Sequence, residues 1–509
     1  MDLIEFTESS PTWPRIVHCL KGLVISVALL SIVTYIIIAV LRMGYKYELE
    51  WIEGLMVDEV AKVLESGMPY RAPSVDFVPF LYGPLYFYLS AAFSSALGLT
   101  FLPLRLLSFL SSLGCFALTF LIVKRHTRDI FSSILAVGMF AATYRASGAW
   151  FDLARVDSLF LVLFLLFVSL CDPSITKSHS SIVIPVLAGV IGALSFFVKQ
   201  TALVVSFPIV VFWLFHGWRR GIVLAISMTV AILLPTLLLN MLSDGWFSYY
   251  QFEMLRGQTF WIPRRFVGFW KTDLLRVLPF ALVFALIPLV EAKKVRGQST
   301  YFAMLLAGAV LGSYLTRIKE GGHENVLMPM YAIICLLLGI GIGRLFGPQG
   351  RNLARLNLRM KSMICLGVLF QFFWLAYDPR TQIPSNQSFL ATESFFAQVS
   401  LLPGEVYLPF HGFVSRYAGK RSYAHWNVIL PVLRLPPPNR GREILEVSLI
   451  SAIQNKKFQT IILDGHWQWQ FDLPDLWKYY QTIEAPIDPM PPLLGMGSHP
   501  SKFLVPRSE

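Results

Sequence analysis

"GLVISVALLSIVTYIIIAVL", residues 22–41, is a run of twenty residues that contains no charged side chain. A helix of about 20 apolar residues has the length needed to cross the hydrocarbon core of a bilayer. The run is too long for the core of a signal peptide, and it lacks a small-residue cleavage site. The sequence therefore predicts a retained membrane-spanning helix near the amino terminus.

The composition of the whole chain also indicates a membrane protein. Of its 509 residues, 55% are hydrophobic and 15% are charged, whereas soluble domains carry about 25% charged residues. The net charge of +12 comes from short basic clusters between apolar runs, a pattern typical of membrane topology and not of nucleic-acid binding. The five cysteines lie in or beside apolar runs without a CxxC pair, so they indicate neither a disulfide framework nor a zinc site.

Eleven apolar runs are candidates for membrane spans. They lie near residues 22–41, 104–123, 130–148, 158–171, 181–198, 202–216, 221–240, 277–290, 301–316, 326–343 and 362–377. With the amino terminus inside, this count puts nearly every basic cluster on the cytoplasmic side. A twelfth run, 82–99, would invert that arrangement if it crossed the membrane. Its Gly-Pro and its tyrosines instead favour a helix lying partly in the membrane surface.

The sequence therefore predicts a polytopic α-helical membrane protein with about 11 transmembrane helices and a small C-terminal extracytoplasmic α/β domain. Residues 1–377 would form the membrane module, whose first outer loop, 42–103, contains surface helices. Residues 378–509 would form the outer domain. In this tail "EVYLPF" (405–410) and "TIILDG" (460–465) are strand-like and "REILEVSLISAIQNKK" (442–457) is helical. An irregular tail packed on the spans is the alternative.

An acidic stretch, "EWIEGLMVDEVAKVLESGMPYR" (50–71), follows the first span. Read as a helix from Ile52, it places its apolar residues on one stripe, with Glu59 inside the stripe and Asp58 at its edge. The stripe predicts a helix that rests on the membrane. The alternative is that both acids belong to the solvated face of a surface helix.

Further charged residues occur at the predicted outer ends of the spans. They are Arg105, Arg145, Arg155, Asp157, Lys199, Arg317, Lys319, Glu320 and His323. Ionisable groups at a membrane edge are functional by default, but each also has a plain structural explanation, such as a snorkelling lysine or an ordinary glycine turn. All of them select the same face of the bilayer as Asp58 and Glu59, which favours a single site.

Carboxylates beside cations at a membrane face suit one kind of chemistry. Cations bind the phosphate of a lipid carrier through charge-assisted hydrogen bonds, and a carboxylate takes the proton of an attacking hydroxyl. The pattern therefore indicates transfer of a group from a lipid-phosphate carrier, with the leaving phosphate neutralised by the cations. Asp157 could orient the acceptor or share a divalent cation with Asp58 and Glu59, although a direct base needs no cation.

Several short motifs occur in order between residues 50 and 330. They are the acidic pair 58–59, "GPLYFYL" (83–89), "RLLSFLSSL" (105–113), "ARVDSLFLVL" (154–163), "KQTAL" (199–203) and "GGHENVLMP" (321–329). In this order they resemble the C-type integral-membrane glycosyltransferases, above all the branch with protein O-mannosyltransferases and the aminoarabinose transferases of lipid A. An "HPPLGK"-like stretch of the mannosyltransferases is replaced by "FLYGPLYFYL" (80–89), which leaves the acceptor open.

That resemblance implies a polyprenyl-phosphate sugar donor, inverting transfer outside the membrane and a catalytic acid in the first outer loop. Carried over by position, the catalytic residues are Asp58, Glu59 and Asp157. The expected donor-phosphate ligands are Lys199, Arg317, Lys319, His323 and Arg155. Expected partners are the donor, a lipid, glycan or protein acceptor, and the bilayer. The expected location is a bacterial cytoplasmic membrane, with the site on the periplasmic or extracellular side.

Three other functions are compatible with parts of this pattern. A transporter would tend to have inverted repeats and binding groups near mid-bilayer, and the sequence shows neither. A non-catalytic scaffold with an outer domain is the second alternative. A ligase that moves a whole lipid-linked glycan would use the same chemistry and is the closest enzymatic alternative.

Overall fold

The computed structural model describes residues 12–508, apart from 177–181, 259–260, 291–296, 347–356, 466–472, 474 and 485–498. The first part of the chain is almost entirely helical. Its α-helices are α1 Thr12–Met43, α2 Glu53–Ser66, α3 Leu85–Leu97, α4 Phe101–Thr127, α5 Ile130–Ala142, α6 Asp157–Leu170, α7 Pro173–Thr176, α8 Val183–Phe196, α9 Thr201–His216, α10 Trp218–Leu242, α11 Trp246–Ser248, α12 Pro263–Gly268, α13 Pro279–Ala285, α14 Ile287–Val290, α15 Gln298–Arg317, α16 Met328–Phe346 and α17 Leu358–Trp374. Two π-helical turns, Tyr249–Glu253 and Phe269–Leu275, and two 3₁₀ turns, Met254–Gln258 and Glu324–Leu327, join them.

The prediction of a polytopic helical membrane protein is confirmed. Among the described residues, six helices are long and apolar enough to cross a membrane, or up to eight if each of two bent helix pairs is one span. The predicted spans at 130–148, 181–198 and 202–216 correspond to the shorter helices α5, α8 and α9. The run 82–99 contains α3, a helix of 13 residues that packs on α2 and α4.

The helices of the bundle differ in what surrounds them. Helix α16 is buried along nearly its whole length and packs against α5, α13 and α15, so it forms the centre of the bundle. Helix α10 buries only Gly221, Leu224 and Met228 and exposes a wide aliphatic surface. A helix exposing that much apolar surface is stable where lipid tails cover it, because they are as apolar as the side chains.

The C-terminal part combines helices with a small sheet. Its α-helices are α18 Asn386–Leu401, α19 Trp426–Leu433, α20 Arg440–Gln454 and α21 Leu476–Tyr479, with 3₁₀ turns at Pro379–Gln382 and Gly412–Ala418. Its strands are β1 Val406–Tyr407, β2 Thr460–Asp464, β3 Tyr480–Ile483 and β4 Pro500–Pro506, in the order β1-β2-β4-β3. Strand β1 is parallel to β2, and β4 is antiparallel to both β2 and β3.

The strand-like segments and the helix predicted in the tail are therefore present, although β1 has only two residues. The division at residue 377 stays a prediction, and the predicted tail includes 466–472, 474 and 485–498, which lie outside the described residues. The tail packs on the first outer loop: Ala424 N–H donates to Val75 O at 2.9 Å, and Lys457 pairs with Asp76 at 2.9 Å. All five cysteines are free.

One buried ion pair joins the start of α2 to the bundle. The Arg105 side chain, on α4, is completely buried, and its Nε and Nη2 donate to the carboxylate of Glu53 at 3.0 and 2.6 Å. The same guanidinium donates to the carbonyls of Tyr45 at 2.6 Å and Tyr47 at 2.7 Å. Arg105 therefore ties the segment before α2 and the first residue of α2 to the same point of α4.

We predict that Arg105→Met strongly destabilises the protein. The variant leaves Glu53 buried without its counter-charge, which costs about 3–5 kcal/mol. Thermal unfolding of the purified chain in detergent measures the loss. Lys62→Met, which breaks the more exposed pair between Lys62 and Glu65, is the matched control and should cost less than about 1 kcal/mol. An Arg105→Met variant as stable as this control would contradict the prediction.

Candidate active site

Helix α2 carries the predicted catalytic pair, and its apolar stripe is buried inside the protein. Ile52, Leu55, Met56 and Val60 are at most 4% exposed. The helix packs on α3, on α4 and on the 3₁₀ turn at Gly412–Ala418. The prediction that the stripe rests on the membrane is therefore wrong, because segments distant in the chain cover the same apolar surface.

Asp58 is a buried carboxylate with one oxygen satisfied and one free of hydrogen bonds from the described residues. Ser422 Oγ donates to Oδ2 at 2.7 Å, and Arg416 Nε lies 3.9 Å from Oδ1. Burial raises the pKa of Asp58 to about 7, although Ser422 and Arg416 oppose the shift. A carboxylate with this pKa is available as a base near neutral pH.

The carboxylate of Glu59 contacts a different segment of the chain from that of Asp58. It is fully buried, and its Oε1 accepts the backbone N–H of Phe80 at 2.5 Å. Burial raises the pKa of Glu59 well above its usual range, although the hydrogen bond from Phe80 opposes the shift. Glu59 therefore holds the segment after α2 in place through this hydrogen bond.

A second cluster lies where the predicted outer ends of α6 and α9 meet. Lys199 Nζ pairs with Asp157 Oδ1 at 2.6 Å, and Asn325 Nδ2 donates to the same oxygen at 2.9 Å. The Lys199 ammonium also lies 5.8 Å from the centroid of the Tyr82 ring. Asp157 and Lys199, predicted separately from the sequence, are therefore direct partners.

The segment "FLYGPL" (80–85) joins the two clusters. Its first residue, Phe80, contacts Glu59, and the carbonyl of Leu81 accepts the side-chain amide of Gln200. The glycine of this segment permits close approach of two backbones, because a Cβ on Gly83 would lie 2.1 Å from the carbonyl oxygen of Phe197. The stretch that departs from the mannosyltransferase motif thus bridges the Asp58 side and the Lys199 side.

Two of the remaining predicted cations, Arg155 and Arg317, are already paired. Arg155 Nη1 pairs with Glu50 at 3.1 Å. The Arg317 guanidinium pairs with Asp273 at 2.8 Å and Glu324 at 2.9 Å and donates to the carbonyl of Gly322. Their guanidinium groups therefore stabilise neighbouring segments in this conformation.

Lys319 and His323 contact aromatic rings. The Lys319 ammonium lies 5.6 Å from the Trp261 ring centroid, and the His323 ring lies 5.8 Å from that of Trp150. Burial lowers the pKa of His323 to about 4. At neutral pH this imidazole can offer a hydrogen bond but no charge.

The three acids considered for a divalent cation do not come together. Within the described ranges, no group of three or more His, Cys, Asp or Glu side chains could hold a metal ion. Asp58 contacts Ser422, Glu59 contacts Phe80 and Asp157 contacts Lys199. The described acids therefore do not provide the oxygen-rich ligand set that a hard cation requires.

Sequence reasoning missed three glutamates and three residues of the tail. They are Glu48, Glu50 and Glu53, and His411, Arg416 and Ser422. The spacing of the glutamates in "YELEWIEG" (47–54) is a signal that could have drawn attention to them. No sequence signal connects the tail to Asp58, because Ser422 is 364 residues away.

Among these residues, His411 contacts two buried carboxylates. Its Nδ1 lies 2.7 Å from Glu48 Oε2 and its Nε2 lies 3.0 Å from Asp464 Oδ1, with all three side chains buried. Burial lowers the pKa of His411, but the two carboxylates outweigh this effect and raise it to about 10. Glu48 in turn accepts the N–H of Gly54 at 3.0 Å. The imidazolium therefore links the end of β2 to the first turn of α2.

An apolar groove lies beside the Lys199 cluster. It has a volume of about 670 Å³ and is lined by residues of α3, α8 and α10. Pro84 and Phe197 are part of the lining and stand two residues from Tyr82 and Lys199 in the chain. The groove has the size and the apolar character to hold an apolar chain.

We predict that His411→Gln destabilises the protein in a pH-dependent manner. The imidazolium stabilises the fold fully below the ordinary histidine pKa of 6.5, and this contribution is lost as the pH rises through about 10. The variant should cost about 3–5 kcal/mol near pH 6 and much less near pH 10. Thermal unfolding at both pH values checks this, with exposed His18→Gln as control. An equal loss at the two pH values would refute the assignment.

The comparisons with known proteins concern the fold. The sequence matches no protein-family model and no curated protein. Among solved structures, ArnT from Cupriavidus metallidurans bound to undecaprenyl phosphate has a TM-score of 0.57 at 11% identity, over 96% of this chain and 98% of that chain. The apo state of the same protein has a TM-score of 0.58 at 11% identity, over 94% and 97% of the two chains.

A second relative in fold is the Archaeoglobus fulgidus oligosaccharyltransferase tethered with an acceptor peptide containing an NVT sequon. Its TM-score is 0.50 at 10% identity, over 90% of this chain and 73% of that chain. Both relatives are membrane transferases of the class that the sequence motifs resemble. The chain therefore has the fold of the C-type integral-membrane glycosyltransferases, as the resemblance predicts.

Proposed function

We propose that this protein is a membrane glycosyltransferase that moves a sugar from a polyprenyl-phosphate donor to an acceptor hydroxyl, with inversion, on the outer face of a bacterial cytoplasmic membrane. The observation that carries the proposal is the state of Asp58. Its carboxylate is buried, Ser422 holds one oxygen, and the other accepts no hydrogen bond from the described residues. With a pKa of about 7, it suits a general base near neutral pH.

The reaction balances as a single displacement. The acceptor hydroxyl gives its proton to Asp58 Oδ1 while its oxygen attacks the anomeric carbon. The bond between that carbon and the donor phosphate breaks, and the phosphate leaves with the bonding electrons as polyprenyl phosphate. Attack from the face opposite the leaving phosphate inverts the anomeric centre. Asp58 is assigned the direct role, which requires no cation.

The Lys199 cluster is suited to the donor phosphate. A lysine has three N–H donors, and one of them is used by Asp157 at 2.6 Å. The apolar groove beside this cluster has the character that a prenyl chain requires. The fold relative from Cupriavidus metallidurans is bound to undecaprenyl phosphate, which supports a lipid-phosphate donor here.

The other predicted residues take supporting roles in this proposal. Glu59 fixes the segment after α2 through Phe80, and Asp157 orients the Lys199 ammonium. Arg317 holds the loop before α16 through its pair with Glu324. Arg155, Lys319 and His323 are assigned positioning roles, because Arg155 is paired with Glu50 and the other two contact aromatic rings.

A ligase that moves a whole lipid-linked glycan is the second candidate. The likeness in fold to the oligosaccharyltransferase of Archaeoglobus fulgidus favours it. The base and the leaving phosphate would be the same, and only the size of the transferred group differs. Mass spectrometry of the product distinguishes one added sugar from a complete glycan.

We predict that Asp58→Asn abolishes transfer while the protein stays folded and inserted. Loss of a positioned general base lowers the rate about 100- to 10,000-fold. The measurement is mass spectrometry of glycans and lipids in cells lacking the gene, complemented with the wild type or the variant at equal protein levels. Asp378→Asn, at an exposed aspartate, is the matched control and should restore the product. Restoration by Asp58→Asn would refute the role of Asp58.

We predict that Lys199→Gln raises the half-saturating donor concentration by a larger factor than it lowers the rate at saturating donor. Losing a charged hydrogen bond to the phosphate should raise the half-saturating donor concentration about tenfold. Initial rates with purified chain over a range of polyprenyl-phosphate-sugar concentrations measure this effect. Lys124→Gln, in the last turn of α4, is the control. An unchanged donor dependence in Lys199→Gln would remove Lys199 from the phosphate site.

A further inference from the structure

The C-terminal part of the chain makes direct contact with the catalytic carboxylate. Ser422 Oγ donates to Asp58 Oδ2 at 2.7 Å across 364 residues of sequence. Arg416, six residues earlier, brings its Nε to 3.9 Å from the other oxygen. Arg416 lies within the 3₁₀ turn Gly412–Ala418 that packs on α2, and Ser422 follows that turn.

The backbone of the tail approaches the same carboxylate at a glycine. A Cβ on Gly412 would lie 2.5 Å from Asp58 Oδ2 and 3.5 Å from the backbone of Gly54 and Leu55. Real Cβ contacts are not this short, so only glycine lets the tail pass at this point without moving the carboxylate. The next residue towards the amino terminus, His411, is held by Glu48 and Asp464.

The arrangement divides the two oxygens of Asp58 between two tasks. Oδ2 is held by the serine hydroxyl and occupies the space that a Cβ on residue 412 would take. Oδ1 is left to accept a proton from a hydroxyl in the cleft that Asp58 shares with Lys62, Tyr423 and other residues. Pre-organisation of this kind matters because a small misplacement of a base lowers the rate of proton transfer.

We propose that Ser422 is a positioning residue for Asp58, so that the C-terminal part completes the catalytic centre built by the first outer loop. The proposal rests on the general-base role assigned to Asp58 above. It predicts that the serine hydroxyl both orients the carboxylate and stabilises its ionised form. Removing the hydroxyl therefore changes the pH at which Asp58 ionises, which a purely structural serine would not do.

Other charged groups near Asp58 also affect its pKa. Glu48 raises its pKa, whereas Arg416 and Lys62 lower it. The cleft is also lined by Asp76, which pairs with Lys457, and by His425, whose pKa burial lowers to about 4. None of these groups is altered by a substitution at Ser422, so the change in the Asp58 midpoint reports the serine hydroxyl.

The test is a pH titration of the full chain in detergent, followed by infrared difference spectroscopy of protonated carboxyl groups. The Asp58 signal is the one that Asp58→Asn removes. In Ser422→Ala the midpoint should rise by about one unit, because a hydrogen bond to the ionised carboxylate is lost. Ser422→Thr keeps a hydroxyl and should restore the midpoint. Ser415→Ala is the matched control, because Ser415 Oγ donates to Gly412 O and not to Asp58.

Transfer rates give a second readout. Below both midpoints, a one-unit shift lowers the rate of Ser422→Ala about tenfold, while the half-saturating donor concentration stays unchanged. An unchanged Asp58 midpoint in Ser422→Ala, or an equal shift in Ser415→Ala, would overturn the proposal. The infrared midpoint needs no substrate. Absence of sugar transfer by the wild type would therefore refute the proposed function separately from the contact between Ser422 and Asp58.

Discussion

The structure depends on how it neutralises carboxylates that are buried close together at the start of α2. Within twelve positions of the chain, five acids are at most 6% exposed: Glu48, Glu50, Glu53, Asp58 and Glu59. A buried charge is costly unless it is paired and hydrogen-bonded. Arg105, Arg155 and His411 supply the pairing charges, and they come from three separate parts of the chain. Satisfying these acids therefore brings the bundle, the segment before α6 and the tail to one place.

The acids of this stretch differ in how completely they are satisfied. Burial opposes ionisation of Glu53, but the Arg105 guanidinium outweighs it and lowers the pKa of this acid. The Asp58 carboxylate instead accepts a hydrogen bond from a serine and lies 3.9 Å from an arginine, and its pKa is raised to about 7. The same short helix thus holds one acid with a structural role and one suited to proton transfer. The difference between them arises from their partners, since both are buried on the same element.

The two sides of the candidate site are built differently. The Lys199 side lies at the ends of helices in the bundle and adjoins an apolar groove. The Asp58 side is completed by residues 411–425 of the tail. Between them, the segment at 80–85 contacts both clusters. In the proposed function, the Lys199 side holds the donor, and the tail shapes the side that receives the acceptor.

The sequence by itself determined the membrane class, the helical bundle, the acidic helix and the charged ends of its neighbours. These features follow from composition and from periodicity within about 20 residues. Only the tertiary structure decided that the stripe of α2 is buried in protein, that Arg317 is paired with Asp273, and that His411 and Ser422 reach the first outer loop. The physical reason is that a carboxylate's pKa and reactivity depend on which groups surround it. Here those groups come from positions up to 364 residues away, and local sequence patterns do not encode such pairings.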